Sequence, residues 1–266
     1  MNSLLTMLGR KLAGYLSQPR QQGTQVATST PELLHRTLRP GDVLLIEGNT
    51  RISVAIKYLT QSTWSHTTLY IGDALGAPNP GEEPKVLVEA DMLCEVRAVP
   101  LSEYANMHTR ICRPIGVSKE ELQNLIGHLV SRIGHQYDLK NVFDLARFLI
   151  PTPPVPVRWR RRMIAFGSGD PSRAICSTLI AQAFESIHYP ILPKITREEY
   201  EDLAHRHCNR EILHIRHHSL YTPRDFDISP YLEIVKPTLL NDFDYRRVVW
   251  ANDPSEGAQT PRAAVD

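Results

Sequence analysis

Three residues carry the types that acyl chemistry needs. Cys176 follows GSGDPSRA (167–174), a loop rich in Gly, Ser and Pro, and opens the apolar stretch ICSTLIAQAFESI (175–187). A thiol in the first turn of a helix meets unpaired N–H groups and the positive end of the helix dipole, both of which favour thiolate. A thiolate is a competent nucleophile, but it needs a base. His66 stands just after the loop Gln61-Ser62-Thr63-Trp64-Ser65, at the mouth of the β-branched and aromatic run HTTLYIG (66–72). An imidazole there can project into a cleft while the strand holds its backbone. The base in turn needs an acceptor that fixes its tautomer and stabilises the imidazolium. Glu89 sits mid-run in VLVEAD, where an acid flanked by apolar residues is costly unless paired. If the 66–72 and 85–91 strands are neighbours, Glu89 reaches His66. Each residue also has a plainer reading: an inert buried thiol, a structural histidine, a solvent-facing strand acid.

The elements that must position these groups follow from local pattern. GDVLLIEG (41–48) reads as a buried strand between glycines, and 51–60 as a short helix. KVLVEAD (85–91) and CEVRAV (94–99) form a hairpin, and TRICRP (109–114) a further strand ending at a proline. Ser118 and Glu121 make a capping box, followed by Leu122, Leu125, Ile126, Leu129, Val130 and Ile133 on one helical face. A second helix is expected over 139–150, stopped by Pro151, and a third over 175–187. Strands first and helices after indicate an α+β domain.

The organisation is read as an amphipathic helix over 1–18, a polar linker over 19–30, a folded domain over 31–250 and a disordered tail over 251–266. Leu4, Leu5, Leu8, Leu12, Tyr15 and Leu16 recur at helical spacing in the first segment. That helix either docks on protein or lies on a membrane surface. No apolar run reaches the roughly 18 residues needed to cross a bilayer. With 30 Lys+Arg against 29 Asp+Glu, no global field marks a nucleic-acid binder. Cys94, Cys112, Cys176 and Cys208 lack paired short spacing, which disfavours a disulfide framework or a zinc ribbon. Free thiols suit the cytoplasm.

The order GDVLLIEG, WSHTTLYIG, VLVEA, YDLKNVFD, ICSTLI resembles the circularly permuted papain-like hydrolases, the YiiX/YebB-like branch of the NlpC-type superfamily. The resemblance covers about residues 40–190 and extends weakly to TPRDFDISPYLE (222–233). In ordinary papain-like enzymes the Cys precedes the His; here His66 precedes Cys176, the permuted order. The resemblance implies an antiparallel sheet packed against helices, with Cys176 as nucleophile at a helix N-terminus, His66 as general base and Glu89 orienting it. It places Tyr137, Asp138 and Trp64 at the substrate, although Tyr137 and Asp138 read equally well as a packing Tyr and a helix-start Asp. The family's Tyr-Cys-Ser-Glu is Ile175-Cys176-Ser177-Thr178 here, which bears on substrate preference.

The expected activity is hydrolysis of amide bonds in peptides or cell-wall fragments through a thioacyl intermediate, with no cofactor. Two other readings stand beside it: acyl chemistry on lipids, as in the related lecithin retinol acyltransferase branch, with peripheral membrane contact, and a catalytically silent binding module. Two further signals compete. HRHCNREILHIRHH (205–218) contains metal-capable His205, His207, Cys208 and His214, but its spacing fits no standard finger and Arg206, Arg210 and Arg216 disfavour a cation, so no metal is assigned. Arg158, Trp159, Arg160, Arg161 and Arg162 form a basic, aromatic cluster that reads as a solvated loop or a contact for anionic lipid.

Overall fold

The computed structural model describes Gln18 and residues 27–91, 95–135, 175–201, 207–240 and 243–247. The expected N-terminal helix, the 139–150 helix and the Arg158–Arg162 cluster lie outside the described residues.

The architecture is α+β. Six strands form one sheet in the order β4-β3-β2-β1-β5-β8, every neighbouring pair antiparallel. They are β1 (Val43–Ile46), β2 (His66–Tyr70), β3 (Lys85–Ala90), β4 (Val96–Pro100), β5 (Thr109–Pro114) and β8 (Leu232–Val235). The central strand β1 is fully buried, as an uninterrupted VLLI run requires. Each face of the sheet carries its own core. Val43, Leu45, Leu69, Val88 and Ala90 point into one; Leu44, Ile46, Tyr70 and Leu87, the alternate residues of the same strands, point into the other.

The first face is covered by helices. α1 (Pro31–Thr37), α2 (Arg51–Thr60), α3 (Lys119–Val130), α4 (Ile175–Ser186), α5 (Pro223–Asp227) and α6 (Pro237–Leu240) are the α-helices of the described residues. α4 packs on β2 and β3 and against α3, seating Leu179, Ile180, Ala183 and Phe184 in the first core. α3 begins with both reciprocal bonds of the expected capping box, Ser118 Oγ accepting from Glu121 N and Glu121 Oε2 from Ser118 N. The second face is closed by α1 and the short 3₁₀ turn Leu101–Glu103, which bring in Leu34, Leu38, Leu101 and Tyr104.

One buried ion pair ties the sheet to α1. Arg113 on β5 donates through Nε to Asp42 Oδ1 (2.8 Å) and through a terminal nitrogen to Asp42 Oδ2 (2.7 Å) and to the Thr37 carbonyl (2.9 Å). Asp42 is 1% exposed. The fork fixes the entry to β1, next to Gly41, whose φ of 91° makes the turn.

A second, two-stranded sheet falls where the sequence was read as a His-rich segment. β6 (Lys194–Glu201) and β7 (His207–His214) pair antiparallel from Lys194↔His214 to Glu201↔His207. KITREEYE has a helix-like content of Glu and Arg. Cross-strand partners decide the outcome instead: Arg197 lies opposite Glu211 and bonds it at 3.1 Å, and Ile195 lies opposite Leu213.

Candidate active site

β2 begins at His66, opposite Ile46 of β1. The residue before it is pinned twice: Ser65 N donates to the Ile46 carbonyl (3.1 Å), and Ser65 Oγ accepts from Gly48 N (2.9 Å). Strand alternation sends Thr67 and Leu69 toward α4 and leaves His66 with Tyr70 on the other face. In β3 the same alternation sends Val88 and Ala90 toward α4 and leaves Glu89 on the face of His66. β2 and β3 are neighbours, in register at Leu69↔Val88. The condition set by the sequence is therefore met, and His66 Nε2 lies 2.7 Å from Glu89 Oε2.

Glu89 is wholly buried and fully bonded. Its Oε2 also accepts from the Tyr104 hydroxyl at 2.6 Å. Its Oε1 accepts from Arg97 Nε at 3.0 Å and from an Arg97 terminal nitrogen at 2.7 Å. Burial alone would raise this carboxyl. The charge and hydrogen bonds of His66, the Tyr104 hydroxyl and Arg97 outweigh it and hold the group down at about 2. Burial also pushes the Tyr104 phenol up, with the Glu89 charge adding to it, so the hydroxyl stays a donor.

Cys176 is the second residue of α4 and is 6% exposed. His66 stands at the first residue of its strand, and there Cys176 acts on the imidazole together with Glu89. Burial by itself would lower the imidazole. Glu89 and Cys176 together overcome that and raise it to about 10. One ring is thus bonded to a buried carboxylate and influenced by a nearby thiol. Next to Cys176, Ser177 Oγ donates to the Tyr221 carbonyl at 2.8 Å and anchors the start of α4.

Of the residues picked from the sequence, the structure brings Cys176, His66 and Glu89 together. Trp64, read as a substrate contact, is placed in the first core at 2% exposure. Its ring packs against His108 (centroids 4.9 Å apart) and under the Arg110 guanidinium (4.9 Å). Its position is explained by packing. Tyr137 and Asp138 lie outside the described residues. Two site residues escaped the sequence reading, Arg97 and Tyr104. The signal for Arg97 was present in the 85–91/94–99 hairpin, because Glu89 and Arg97 are cross-strand partners. Among the described residues no group of three or more His, Cys, Asp or Glu is arranged to hold a metal ion. None of the described helices is long and apolar enough to cross a membrane.

Fold and site together define an α+β protein in which a sheet-borne His–Glu pair meets a helix-borne thiol. No family model matches the chain, and no curated protein matches it. Among solved structures it is similar to the metalloprotein yiiX from Escherichia coli O157:H7, at 16% identity and a TM-score of 0.43, over 75% of this chain and 97% of that one.

Proposed function

We propose that this protein is a cysteine hydrolase of the circularly permuted papain-like type, acting on amide bonds through a thioacyl intermediate. The observation that carries the reading is the convergence on His66, which bonds the buried Glu89 carboxylate at 2.7 Å and whose charged form Glu89 and Cys176 together favour. A base, its orienting acid and a nucleophile in mutual reach are the parts that covalent acyl transfer uses.

Each part has a step. The thiol proton rests on His66, and Glu89 holds that imidazolium. Cys176 Sγ adds to the carbonyl carbon, forming a C–S bond, and the carbonyl oxygen gains the negative charge. The backbone N–H of Cys176, at the start of α4, is the donor proposed for that oxygen. The C–N bond then breaks as His66 returns its proton to the departing amine. Water, deprotonated by His66, attacks the thioester; the acid leaves and Sγ regains its proton. The order of the two reacting residues along the chain, His66 before Cys176, fits the permuted type.

The test is turnover of a panel of peptide amides by the full chain, alongside Cys176→Ala and His66→Gln. Cleavage that both substitutions abolish supports the reading. Cleavage that persists in Cys176→Ala rejects it. Turnover confined to acyl-lipid substrates moves the same residues to lipid acyl chemistry.

A further inference from the structure

We propose that Arg97 and Tyr104 are positioning residues for this site: together they clamp the Glu89 carboxylate so that Oε2 faces His66. The inference rests on the hydrolase reading and extends it to two residues that touch neither the thiol nor the imidazole through a hydrogen bond in the structure.

The geometry is complete around one buried group. A carboxylate has two oxygens, and here each has a fixed partner besides solvent, which is excluded. Arg97 takes Oε1 with two nitrogens, leaving Oε2 for His66 and Tyr104. The guanidinium is itself held. Its terminal nitrogen bonds Glu103 Oε1 at 2.6 Å, and Asp91 Oδ2 lies 3.8 Å from Nε. Arg97 reaches Glu89 from β4 as its direct cross-strand partner, while Tyr104 reaches it from the end of the 3₁₀ turn. The Tyr104 ring also packs 5.7 Å from the His66 ring. Without the clamp, Glu89 would be free to turn, and a buried acid lacking a cation and a hydroxyl donor would take up a proton. His66 would then lose the anion that stabilises its charged form.

The charged and titratable groups facing Glu89 are thus His66 from β2, Arg97 from β4, and Tyr104 from the turn. Glu103 and Asp91 act on it through Arg97, and Cys176 acts through His66. Removing the Arg97 charge or the Tyr104 hydroxyl must raise the pH at which Glu89 protonates.

The experiment follows the His66 ring by NMR of ¹⁵N-histidine-labelled full chain during acid titration, with His66→Gln to assign the signal. In the parent the inflection caused by Glu89 lies at the acid end, the carboxyl being held at about 2. In Arg97→Met it should rise by about 1–3 pH units, in Tyr104→Phe by less, and Arg97→Lys should restore much of the parent value. An inflection that does not move in folded Arg97→Met and Tyr104→Phe overturns the proposal. Tyr104→Phe, which removes one oxygen atom, decides alone where Arg97→Met does not fold. Iodoacetamide labelling of Cys176 in the same samples separates the two readings. A shifted inflection with an unreactive thiol upholds the clamp and rejects the hydrolase. A reactive thiol with an unshifted inflection does the reverse.

Discussion

His66 Nε2 and Glu89 Oε2 meet at 2.7 Å although 23 positions separate them in the chain, and the meeting is a product of sheet order. β2 and β3 are adjacent, and the pleat puts both side chains on one face. The pair is coupled in both directions. Glu89 is held at about 2 and His66 is raised to about 10, each against its own burial.

That coupling sets a pH profile for stability. The His66 contribution is complete below its ordinary value of 6.5 and is lost as pH rises toward about 10. The Glu89 contribution is complete above its ordinary value of 4.5 and is lost as pH falls toward about 2. The pair therefore stabilises most between 4.5 and 6.5. His66→Gln should show its largest stability deficit there, shrinking as pH rises to about 10. Urea denaturation of parent and variant across pH checks it; a deficit independent of pH contradicts it.

Glu89→Gln keeps the volume and removes the charge. The variant leaves the Arg97 guanidinium without its buried partner and His66 without its anion. The His66 ring should then titrate well below about 10, and amide turnover should fall by about 10²–10⁴-fold, the span associated with losing an effective acid–base group. Breaking a buried pair costs about 3–5 kcal/mol, so urea midpoints must be measured alongside the rates.

Cys112 supplies an internal contrast. It is wholly buried on β5, and burial, with Asp227 nearby, pushes its thiol up to about 12. Iodoacetamide should modify Cys176 under native conditions and reach Cys112 only after denaturant is added. Peptide mass mapping with and without denaturant reads this directly. Equal native labelling of both would remove the distinction.

Two framework positions should set the stability of the fold. A Cβ at Gly48 would collide with Ser53 Oγ and stand 2.9 Å from Ser65 Oγ, pressing the start of α2 on the residue that pins His66. Gly48→Ala should cost about 1–3 kcal/mol. Arg113→Met would strand the buried Asp42 carboxylate at about 3–5 kcal/mol. Thermal melts measure both, and a midpoint within about 1 °C of the parent for either would contradict the packing described, since 1 kcal/mol moves the midpoint of a domain this size by about 2–4 °C.

Much of the site's scaffold was legible because it is local. The VLLI run gave a buried strand, Ser118 and Glu121 gave the start of α3, and helix 51–60 and strand 109–114 match α2 and β5 residue for residue. The proximity of His66 and Glu89 was legible only on condition of strand neighbourhood, which sequence period cannot supply. Tyr104 was not legible, since its hydroxyl reaches Glu89 through the path of the 3₁₀ turn. Trp64 was read as available because a loop aromatic stands beside the candidate base, whereas in the fold it is buried in the first core with Arg110 over its ring. The β6–β7 hairpin was hidden by charges that only cross-strand pairing explains.

The role proposed for His66 is the activation of Cys176. It is tested most directly by the second-order rate of iodoacetamide alkylation at Cys176, read from the mass of its peptide at about pH 7, in the parent and in folded His66→Gln. The rate should be at least about tenfold lower in the variant, because the imidazole that holds the thiol proton is gone. Equal rates in the two proteins would contradict it.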